Sequence, residues 1–361
     1  MTRRFATTLA LLALLALGAG TAHARVAVDG RMLEVVDMHL HPGAFGQMAP
    51  LGKRFVIESL PEYLRLYAPA VVGRSIDPWA PHIGIRAQTA LAGVDHVVLL
   101  AVYTQHTTGW FSNEELEGVL DDARNAGWAD GLASIDLDDW ALHSGERLRA
   151  LRTYFERGAG PGGGRGFRGI KLVHPHQQAR FSEPAHAGLY ALAAELGVPI
   201  LLHTGFSPFP GASTDPAFYD PHGLQATIEM YDGRHGLPRV DFVLSHVGQG
   251  DARATRHALE LATGHDNVWL ELSALGRPLL IDEAGAMVPA GTAPPAQYPA
   301  VLEEVRRRGL IARALFASDG PQFPGMVRGY LDKLTRGMQA AGYTTDEIAA
   351  VLAGNFHRLF D

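Results

Sequence analysis

The sequence of 361 residues contains no cysteine. That absence excludes a disulfide scaffold, a cysteine nucleophile, an iron–sulfur site and a zinc site built on thiolates. It also excludes a lipoprotein anchor, which needs a cysteine to carry the lipid. Lysine is scarce too, with only Lys53, Lys171 and Lys333 among 31 basic residues. Because arginine serves wherever a surface cation suffices, a lysine inside a strand pattern, such as Lys171, needs a separate reason.

A large cationic surface is missing as well. The formal net charge is −7, and no basic run is longer than Arg306 to Arg308. A nucleic-acid-binding protein needs a cationic face, so we expect no nucleic-acid partner. The residue in excess is histidine, with 17 copies in a composition that is 47% hydrophobic and 19% charged and therefore globular. The positions of these histidines carry most of the functional information.

The first 24 residues have the pattern of a cleavable signal peptide. Arg3 and Arg4 form a charged start, an apolar region runs from Phe5 to Gly18, and Ala22-His23-Ala24 fits a cleavage site. The apolar region is short for a transmembrane span, and an uncleaved membrane anchor is the alternative. We expect cleavage after Ala24 and export to the periplasm or the exterior. The mature chain, residues 25–361, would then form one domain that does not enter the membrane.

Eight short apolar runs, each followed by an amphipathic helical pattern, organise the mature chain. Runs such as Val97–Leu100 and Ile200–Leu202 are apolar at every position, which indicates strands buried on both faces of a parallel sheet. Eight βα units in about 300 residues predict an α/β fold, a (β/α)8 (TIM) barrel. The predicted strands are Leu33–His39, Asp95–Tyr103, Gly131–Leu137, Gly169–His174, Pro199–His203, Asp241–His246, Val268–Leu272 and Arg313–Ser318.

A doubly wound sheet is the alternative fold. It would normally place a glycine-rich phosphate loop after the first strand, and the sequence has none there. The last segment, Thr345–Phe360, carries an apolar stripe and is predicted to close the barrel as a C-terminal helix. Two helix starts, Ser112-x-x-Glu115 and Thr344-x-x-Glu347, predict capping boxes.

Polar side chains collect where the predicted strands end. His39 and His41 are two residues apart, so on a strand both point to the same face and can reach one ion at about 2.0–2.1 Å. Active sites of parallel barrels lie at the carboxyl ends of the strands, so we expect a metal site there. The alternative is a set of buried histidines that each find a separate partner in the core. The other strand-end residues of the set are Lys171, His203, His246 and Asp319.

These strand ends resemble the amidohydrolase superfamily of metal-dependent barrels, specifically its amidohydrolase-related (amidohydrolase 2) branch. The resemblance covers essentially the whole mature chain, from the first strand to the last helix. Its motifs are specific to the superfamily and poorly specific for substrate. The matching stretches are Val36–His41, Ala92–Asp95, Gly169–Leu172, Leu202–Gly205, Ser245–Gly248, Ala317–Asp319 and Gly354–Phe360.

The resemblance implies a metal-dependent enzyme. His39, His41 and His203 would bind a divalent cation, for which we expect Zn²⁺, with Asp319 as a further ligand and general base. Zinc lowers the pKa of a bound water to about 7 and polarises a carbonyl, and a carboxylate can pass the water's proton to the leaving group. His246 would either bind a second metal ion or donate to the substrate oxygen.

The resemblance leaves two outcomes open for Lys171. In two-metal relatives a lysine on this strand is carboxylated and bridges both ions, whereas in one-metal relatives it need not bind metal. A buried lysine without a charge partner is costly, so Lys171 needs either CO2 or a nearby carboxylate. The number of ions, one or two, therefore stays open.

Other polar residues are weaker candidates. Asp37 would lie one layer below His39, where it either orients a metal ligand or makes a structural hydrogen bond. Glu271, inside the seventh strand, either contacts the substrate or pairs with an arginine. Loop histidines that could line the pocket are His82, His106, His174, His176 and His222. The histidines expected to be ordinary surface or packing residues are His96, His143, His186, His235, His257, His265 and His357.

We therefore expect an exported metal-dependent hydrolase that attacks an amide C–N or an ester or lactone carbonyl of a small molecule. The alternative is a metal-dependent decarboxylase of an aromatic or unsaturated acid, since the same branch contains such enzymes and Arg74, Arg180 and Arg277 are available to bind carboxylates. Those enzymes act on intracellular catabolites, so an export signal favours hydrolysis. A non-catalytic binding protein is disfavoured because every ligand position is filled. Assembly into a homo-oligomer stays open.

Overall fold

The structure is a computed structural model that describes residues 26–58, 62–65, 82–158, 166–234, 236–276, 279–288, 298–320 and 325–361. The predicted signal peptide, residues 1–24, lies outside these ranges, so cleavage and export stay predictions. None of the helices in the described ranges combines the length and apolarity needed to cross a bilayer.

Twelve strands form three sheets in the described part of the chain. An eight-stranded sheet, parallel throughout, has the order β3-β4-β7-β8-β9-β10-β11-β12, and two antiparallel hairpins, β1–β2 and β5–β6, stand beside it. All eight predicted strands are present in the large sheet. In chain order the strands are β1 (Val26–Val28), β2 (Arg31–Leu33), β3 (Val36–Leu40), β4 (His96–Leu100), β5 (Val102–Thr104), β6 (Gly109–Phe111), β7 (Ala129–Ser134), β8 (Gly169–Leu172), β9 (Ile200–His203), β10 (Phe242–Ser245), β11 (Val268–Glu271) and β12 (Ala314–Leu315).

The large sheet closes into a barrel between its first and last strands. Beyond the two residues of β12, the chain runs on beside β3, where Met38 N donates to Phe316 O at 3.3 Å and His41 N donates to Gly320 O at 2.8 Å. The last strand is shorter than predicted because only these scattered hydrogen bonds extend it. The predicted TIM barrel is confirmed.

Helices alternate with the barrel strands, as the sequence pattern predicts. The helix expected at 223–235 is shorter than predicted: a 3₁₀ turn, Pro221–Leu224, precedes it, and it ends at Met230. Both predicted capping boxes are present, at Ser112 and Thr344. The α-helices are α1 (Pro50–Glu58), α2 (Glu62–Arg65), α3 (His82–Ala92), α4 (Asn113–Leu120), α5 (Trp140–Gly158), α6 (Ala187–Leu196), α7 (Gln225–Met230), α8 (Ala252–Gly264), α9 (Tyr298–Arg307), α10 (Met326–Ala340), α11 (Thr345–Ala349) and α12 (Asn355–Phe360).

The apolar strands pack on both faces, which explains their continuous hydrophobic runs. In β4, Val98 and Leu100 belong to the cluster inside the barrel, whereas Val97 and Leu99 belong to the larger cluster between the sheet and the helices. Alternate side chains of one strand point to opposite faces, so a strand buried on both faces must be apolar throughout.

The C-terminal segment closes one end of the barrel, as predicted. Ala353 and Phe356 join the inner cluster, and Asn355 Nδ2 donates to Ala314 O, at the start of β12, at 2.6 Å. The segment is one helical stretch in which a π-helical turn, Ala350–Gly354, connects α11 to α12. Because it covers the amino ends of the strands, it leaves the carboxyl ends free for a site.

The sequence pattern does not predict the hairpins β1–β2 and β5–β6 or the helices α1 and α2. The predicted strand at 95–103 is in fact β4 and β5, which separate at Ala101. Helix α1 packs against the turn of the β5–β6 hairpin so closely that a Cβ on Gly52 would lie 2.3 Å from Thr107 O. The helices after β3 and the β5–β6 hairpin after β4 lie at the carboxyl end of the barrel, whereas β1–β2 precedes β3.

Candidate metal centre

The ends of β3 and β12 bring three metal-type side chains together. Nε2 of His39 is 2.9 Å from Nε2 of His41, and Asp319 Oδ1 is 3.4 Å and 3.3 Å from these two nitrogens. The His39 side chain is fully buried, whereas the side chains of His41 and Asp319 are 26% and 12% exposed. The three atoms thus face one another at the rim of the barrel, where the side chains of His41 and Asp319 are partly open to solvent.

Glu271, at the end of β11, determines which nitrogen of His39 is available. Its Oε2 lies 2.9 Å from His39 Nδ1, and both side chains are fully buried. Its other oxygen, Oε1, accepts a hydrogen bond from Ser273 N at 2.5 Å. A carboxylate that accepts from Nδ1–H leaves the lone pair on Nε2, toward His41 and Asp319. Burial raises the pKa of Glu271, while His246 and the hydrogen bonds from Ser273 oppose that rise.

The expected roles of Glu271 were a substrate contact or a pairing with arginine. In the described part of the chain its partners are His39, Ser273 and, at 4.0 Å, His246. No arginine is among these described partners of Glu271. The carboxylate meets an imidazole, because closure of the barrel leaves only β12 between β11 and β3 and both buried side chains come together there.

The cluster of His39, His41 and Asp319 fits a divalent cation. Donor atoms at 2.0–2.2 Å from one tetrahedral ion lie about 3.3–3.6 Å apart. The two distances from Asp319 Oδ1 match this spacing, and the 2.9 Å between the histidine nitrogens is shorter. Two imidazoles with a carboxylate are a donor set of catalytic zinc sites. Hydrogen bonds explain the cluster less well. With a lone pair on Nε2, His39 cannot donate a hydrogen bond to Asp319 Oδ1, an acceptor that lies 3.4 Å away.

His203 and His246 form a second pair beside this cluster. His246 Nε2 is 3.3 Å from His203 Nδ1, and the ring centroids of His246 and His39 are 5.2 Å apart. Ser273 Oγ lies 2.7 Å from His246 Nδ1 and fixes the ring. Burial lowers the pKa of His203 well below its ordinary value and that of His246 to about 3. Both imidazoles are therefore neutral at pH 7, the form that binds a metal ion.

Lys171 projects from β8 into the barrel interior and is fully buried. Its Nζ lies 3.5 Å from His39 Nε2 and 3.3 Å from Ser245 Oγ, so neither direct contact is a carboxylate. Burial lowers the pKa of Lys171 to about 8, although Glu271 and Asp319 act in the opposite direction. The amine is thus close to the cluster and easier to deprotonate than an exposed lysine.

Strained backbone collects at this site. The non-glycine residues His246, Val247, Ala274 and Asp319 all have positive φ, between 51° and 64°. Left-handed conformations cost energy for residues with a Cβ, least for aspartate. Such conformations persist where the surrounding structure holds them, often at functional sites.

Asp37 connects β3 to the segment that follows β12, where the barrel closes. Its Oδ1 accepts from Ser318 N at 3.0 Å and from His39 N at 3.3 Å, and burial raises its pKa to about 7. These hydrogen bonds go to the backbone of the segments that carry His39 and Asp319. Of the two roles considered for Asp37, the structural hydrogen bond matches these contacts.

His174 and His176, which follow β8, lie in different surroundings. The ring of His176 is 5.1 Å from that of His203, and Thr107 Oγ1 lies 2.8 Å from its Nδ1, so His176 borders the site. His174 is fully buried, and neither ring nitrogen has a hydrogen-bond partner among the described residues. Burial and the neighbouring His186 lower the pKa of His174 well below its ordinary value.

The remaining loop candidates make their contacts elsewhere. His106 Nε2 lies 2.6 Å from Asp138 Oδ2, and the ring of His222 is 5.0 Å from that of His257. The side chain of His82 lies outside the described residues, as does all of His235.

Arg180 is the one candidate carboxylate-binding arginine that the described ranges include. Its guanidinium is 3.5 Å from Asp215 Oδ2 and lies over the Phe218 ring, 5.1 Å from the ring centroid. Arg74 and Arg277 lie outside the described residues. Arg180 therefore has a local carboxylate partner of its own.

Two further polar residues at the site, Ser273 and Gln249, are not among the sequence-based candidates. Ser273 lies two residues after Glu271, so strand periodicity beyond β11 could have placed both on one face. Gln249 follows Gly248 in a loop after β10, and no sequence pattern marks it. Both polar atoms of its side chain are buried without a hydrogen-bond partner among the described residues.

The fold and the cluster define a TIM-barrel protein with a candidate metal centre of histidines and carboxylates at the carboxyl end of its strands. A family model described as Amidohydrolase, of the amidohydrolase-2 type, matches residues 36–361. The chain therefore belongs to this metal-dependent enzyme family, whose members act on small molecules. No curated protein matches the chain in a sequence comparison.

Several solved structures share the fold at low sequence identity. An uncharacterised TIM-barrel protein from Bordetella bronchiseptica is 16% identical with a TM-score of 0.61, over 91% of this chain and 98% of that one. A probable 2-pyrone-4,6-dicarboxylic acid hydrolase from Acinetobacter baumannii, with citric acid bound, is 13% identical with a TM-score of 0.55, over 91% and 99%. A variant 5-carboxyvanillate decarboxylase from Novosphingobium aromaticivorans, with bound manganese, is 13% identical with a TM-score of 0.55, over 91% and 97%.

Proposed function

We propose that the protein is an exported, metal-dependent hydrolase that cleaves an amide C–N bond or an ester or lactone of a small molecule. The observation that carries the proposal is the position of Asp319, whose Oδ1 lies within 3.4 Å of the Nε2 atoms of both His39 and His41. A carboxylate at that point can touch a cation held by the histidines and the attacking water together, as a general base must.

The donor set assigns the ligands. His39, His41 and Asp319 would hold a divalent cation, Zn²⁺ in our proposal, and His203 is the further ligand that the family resemblance implies. A divalent cation there lowers the pKa of a water and polarises the substrate carbonyl. Glu271 keeps His39 Nε2 free for that role through its hydrogen bond to Nδ1.

The protein's own groups then move the proton. Asp319 accepts it from the attacking water and passes it to the nitrogen or oxygen of the leaving group. His246 donates from Nε2 to the carbonyl oxygen as negative charge develops there. This role requires that Ser273 Oγ donates to Nδ1 of His246, which their separation of 2.7 Å permits.

We infer that a single ion is sufficient. In the other candidate group of ligands, His39, His246 and Glu271, Glu271 already engages Nδ1 of His39 at hydrogen-bond distance. Lys171, whose described contacts are an imidazole and a hydroxyl, would then act as a cationic neighbour of the site. A carboxylated Lys171 would favour a second ion.

Decarboxylation is the second candidate, because the similar structures include a decarboxylase as well as a hydrolase. The predicted export favours hydrolysis, and Arg180 already has a partner in Asp215. The deciding experiment supplies the metal-loaded protein with amides, lactones and aromatic acids in H₂¹⁸O. Hydrolysis places one ¹⁸O in the product carboxyl group, whereas release of CO2 from an aromatic acid would contradict the proposal.

A further inference from the structure

A cavity of about 240 Å³ adjoins the candidate metal centre on the side of His203 and His246. A cavity of roughly 150 Å³ admits a benzene ring, so this one holds a ring-sized group. Its lining beyond the two histidines is mainly apolar and includes Phe206, Pro208, Ala274 and Leu280.

Gln249 is a polar residue of this cavity whose side chain has no hydrogen-bond partner in the part of the chain that the structure describes. Its backbone is engaged, because its N–H donates to His246 O at 3.1 Å and its carbonyl accepts from Phe206 N at 2.9 Å. Its side-chain Oε1 and Nε2 are buried, and neither has a hydrogen-bond partner among the described residues. An unpaired buried amide is costly and rare in native proteins. A ligand in the cavity would supply the missing partner.

The wall that carries Gln249 is held in place by glycines. A Cβ on Gly205, at φ +90°, would lie 2.3 Å from the Gln249 carbonyl oxygen. A Cβ on Gly248, at φ +68°, would lie 2.3 Å from the Ala254 backbone. The loops after β9 and β10 therefore pack backbone against backbone, which fixes the backbone of Gln249 at the cavity wall. A fixed polar group in an apolar pocket determines ligand orientation.

The lining indicates the chemistry of the ligand. None of the described residues that line the cavity is an aspartate, glutamate, lysine or arginine. A charged ligand group in the cavity would lose its hydration without gaining a counter-charge from these side chains. An amide can both donate and accept, so it suits a carbonyl, hydroxyl or amide of a neutral ligand.

We propose that this cavity binds an uncharged, ring-sized part of the substrate, with one polar atom of that part hydrogen-bonded to the side chain of Gln249. The proposal rests on the proposed function and deepens it, because the cavity adjoins the cluster of His39, His41 and Asp319. His203 and His246 lie between the two. A group seated beside Gln249 would direct the carbonyl attached to it toward that cluster. Gln249 is thus a specificity-determining residue.

The test measures equilibrium binding of benzamide, benzene, benzamidine and benzoate to the metal-loaded protein by NMR titration. We expect wild-type protein to prefer benzamide. Gln249→Leu should weaken benzamide binding roughly tenfold, the effect of one hydrogen bond, and leave benzene binding unchanged. Gln249→Glu should shift the preference to the cation benzamidine. The matched control is Gln225→Leu, because the Gln225 amide donates to Glu229 of its own helix.

Two results would overturn the proposal. One is benzamide binding that Gln249→Leu and Gln249→Glu leave unchanged. The other is benzoate binding that exceeds benzamide binding and is weakened by Gln249→Leu, which would make the cavity an anion site. Binding requires no turnover, so these results are separate from the ¹⁸O experiment. Release of CO2 there would remove the hydrolase function without altering the binding pattern.

Discussion

Glu271 Oε2 lies 2.9 Å from His39 Nδ1, with both side chains fully buried. A carboxylate in this position fixes the tautomer and the ring orientation of a metal-binding histidine. We predict that Glu271→Gln lowers the metal affinity about 10- to 100-fold, the usual effect of losing such a partner. Competition with a chelator measures that affinity.

The control for this variant is Glu260→Gln, on the outer surface of α8, where Glu260 pairs with Arg256. It should bind metal as the wild-type protein does. An unchanged affinity in correctly folded Glu271→Gln would remove Glu271 from the support of the centre.

Asp319 and His39 should fail in different ways. Asp319→Asn keeps the size and one oxygen donor but removes the base, so we predict much of the metal retained and a loss of roughly 10²–10⁴-fold in turnover. His39→Ala should lose the metal and the activity together. Metal analysis beside steady-state kinetics separates these outcomes. Near-wild-type turnover by metal-loaded Asp319→Asn would leave His246 as the next candidate base.

His174 should make the protein sensitive to acid. Its folded-state pKa lies well below the ordinary value of 6.5, so below about pH 6.5 the unfolded chain binds a proton that the folded chain does not. Stability is therefore lost as the pH falls below the unfolded pKa, by up to about 1.4 kcal/mol per pH unit. His174→Leu should remove this contribution, since it keeps an apolar contact with Phe181, whose ring is 4.6 Å away.

The comparison uses unfolding free energies of metal-free protein at pH 7.5 and pH 5.5. The control is His143→Leu, which changes an exposed histidine on α5. We expect His174→Leu to lose less unfolding free energy between the two pH values than this control. An equal loss in both variants would show that His174 is not a source of acid sensitivity.

Export is tested at the N-terminus. The charged start, the apolar region and Ala22-His23-Ala24 predict that protein recovered from the periplasm or the medium begins at Arg25. Edman sequencing or mass spectrometry of that material reads the first residue directly. Intact Met1 on protein confined to the cytoplasm would contradict the prediction.

The strands were predictable because burial on both faces leaves a continuous apolar run, as β4 and β9 show. The cluster of His39, His41 and Asp319 followed from one rule, that strands of a parallel barrel carry their functional residues at the carboxyl ends. The β5–β6 hairpin was missed because Leu100, Ala101 and Val102 are all apolar, so the sequence contains no break where the strand ends.

Side-chain partners were harder to predict than strand ends. Glu271 and His39 are 232 residues apart, and their hydrogen bond depends on how far β11 is staggered against β3 around the closed barrel. The two unpaired atoms of Gln249 depend on loop packing through Gly205, which periodicity does not report. Sequence patterns therefore indicated which residues carry the chemistry, and the three-dimensional register assigned their partners.

The central claim is that His39, His41 and Asp319 hold one catalytic cation. The most direct test is an anomalous difference map from crystals of the protein reconstituted with Zn²⁺, collected on both sides of the zinc absorption edge. The account predicts one strong peak, about 2.0–2.2 Å from Nε2 of His39, Nε2 of His41 and an oxygen of Asp319. A map without a peak at these three atoms, or with its peak at another cluster, would contradict it.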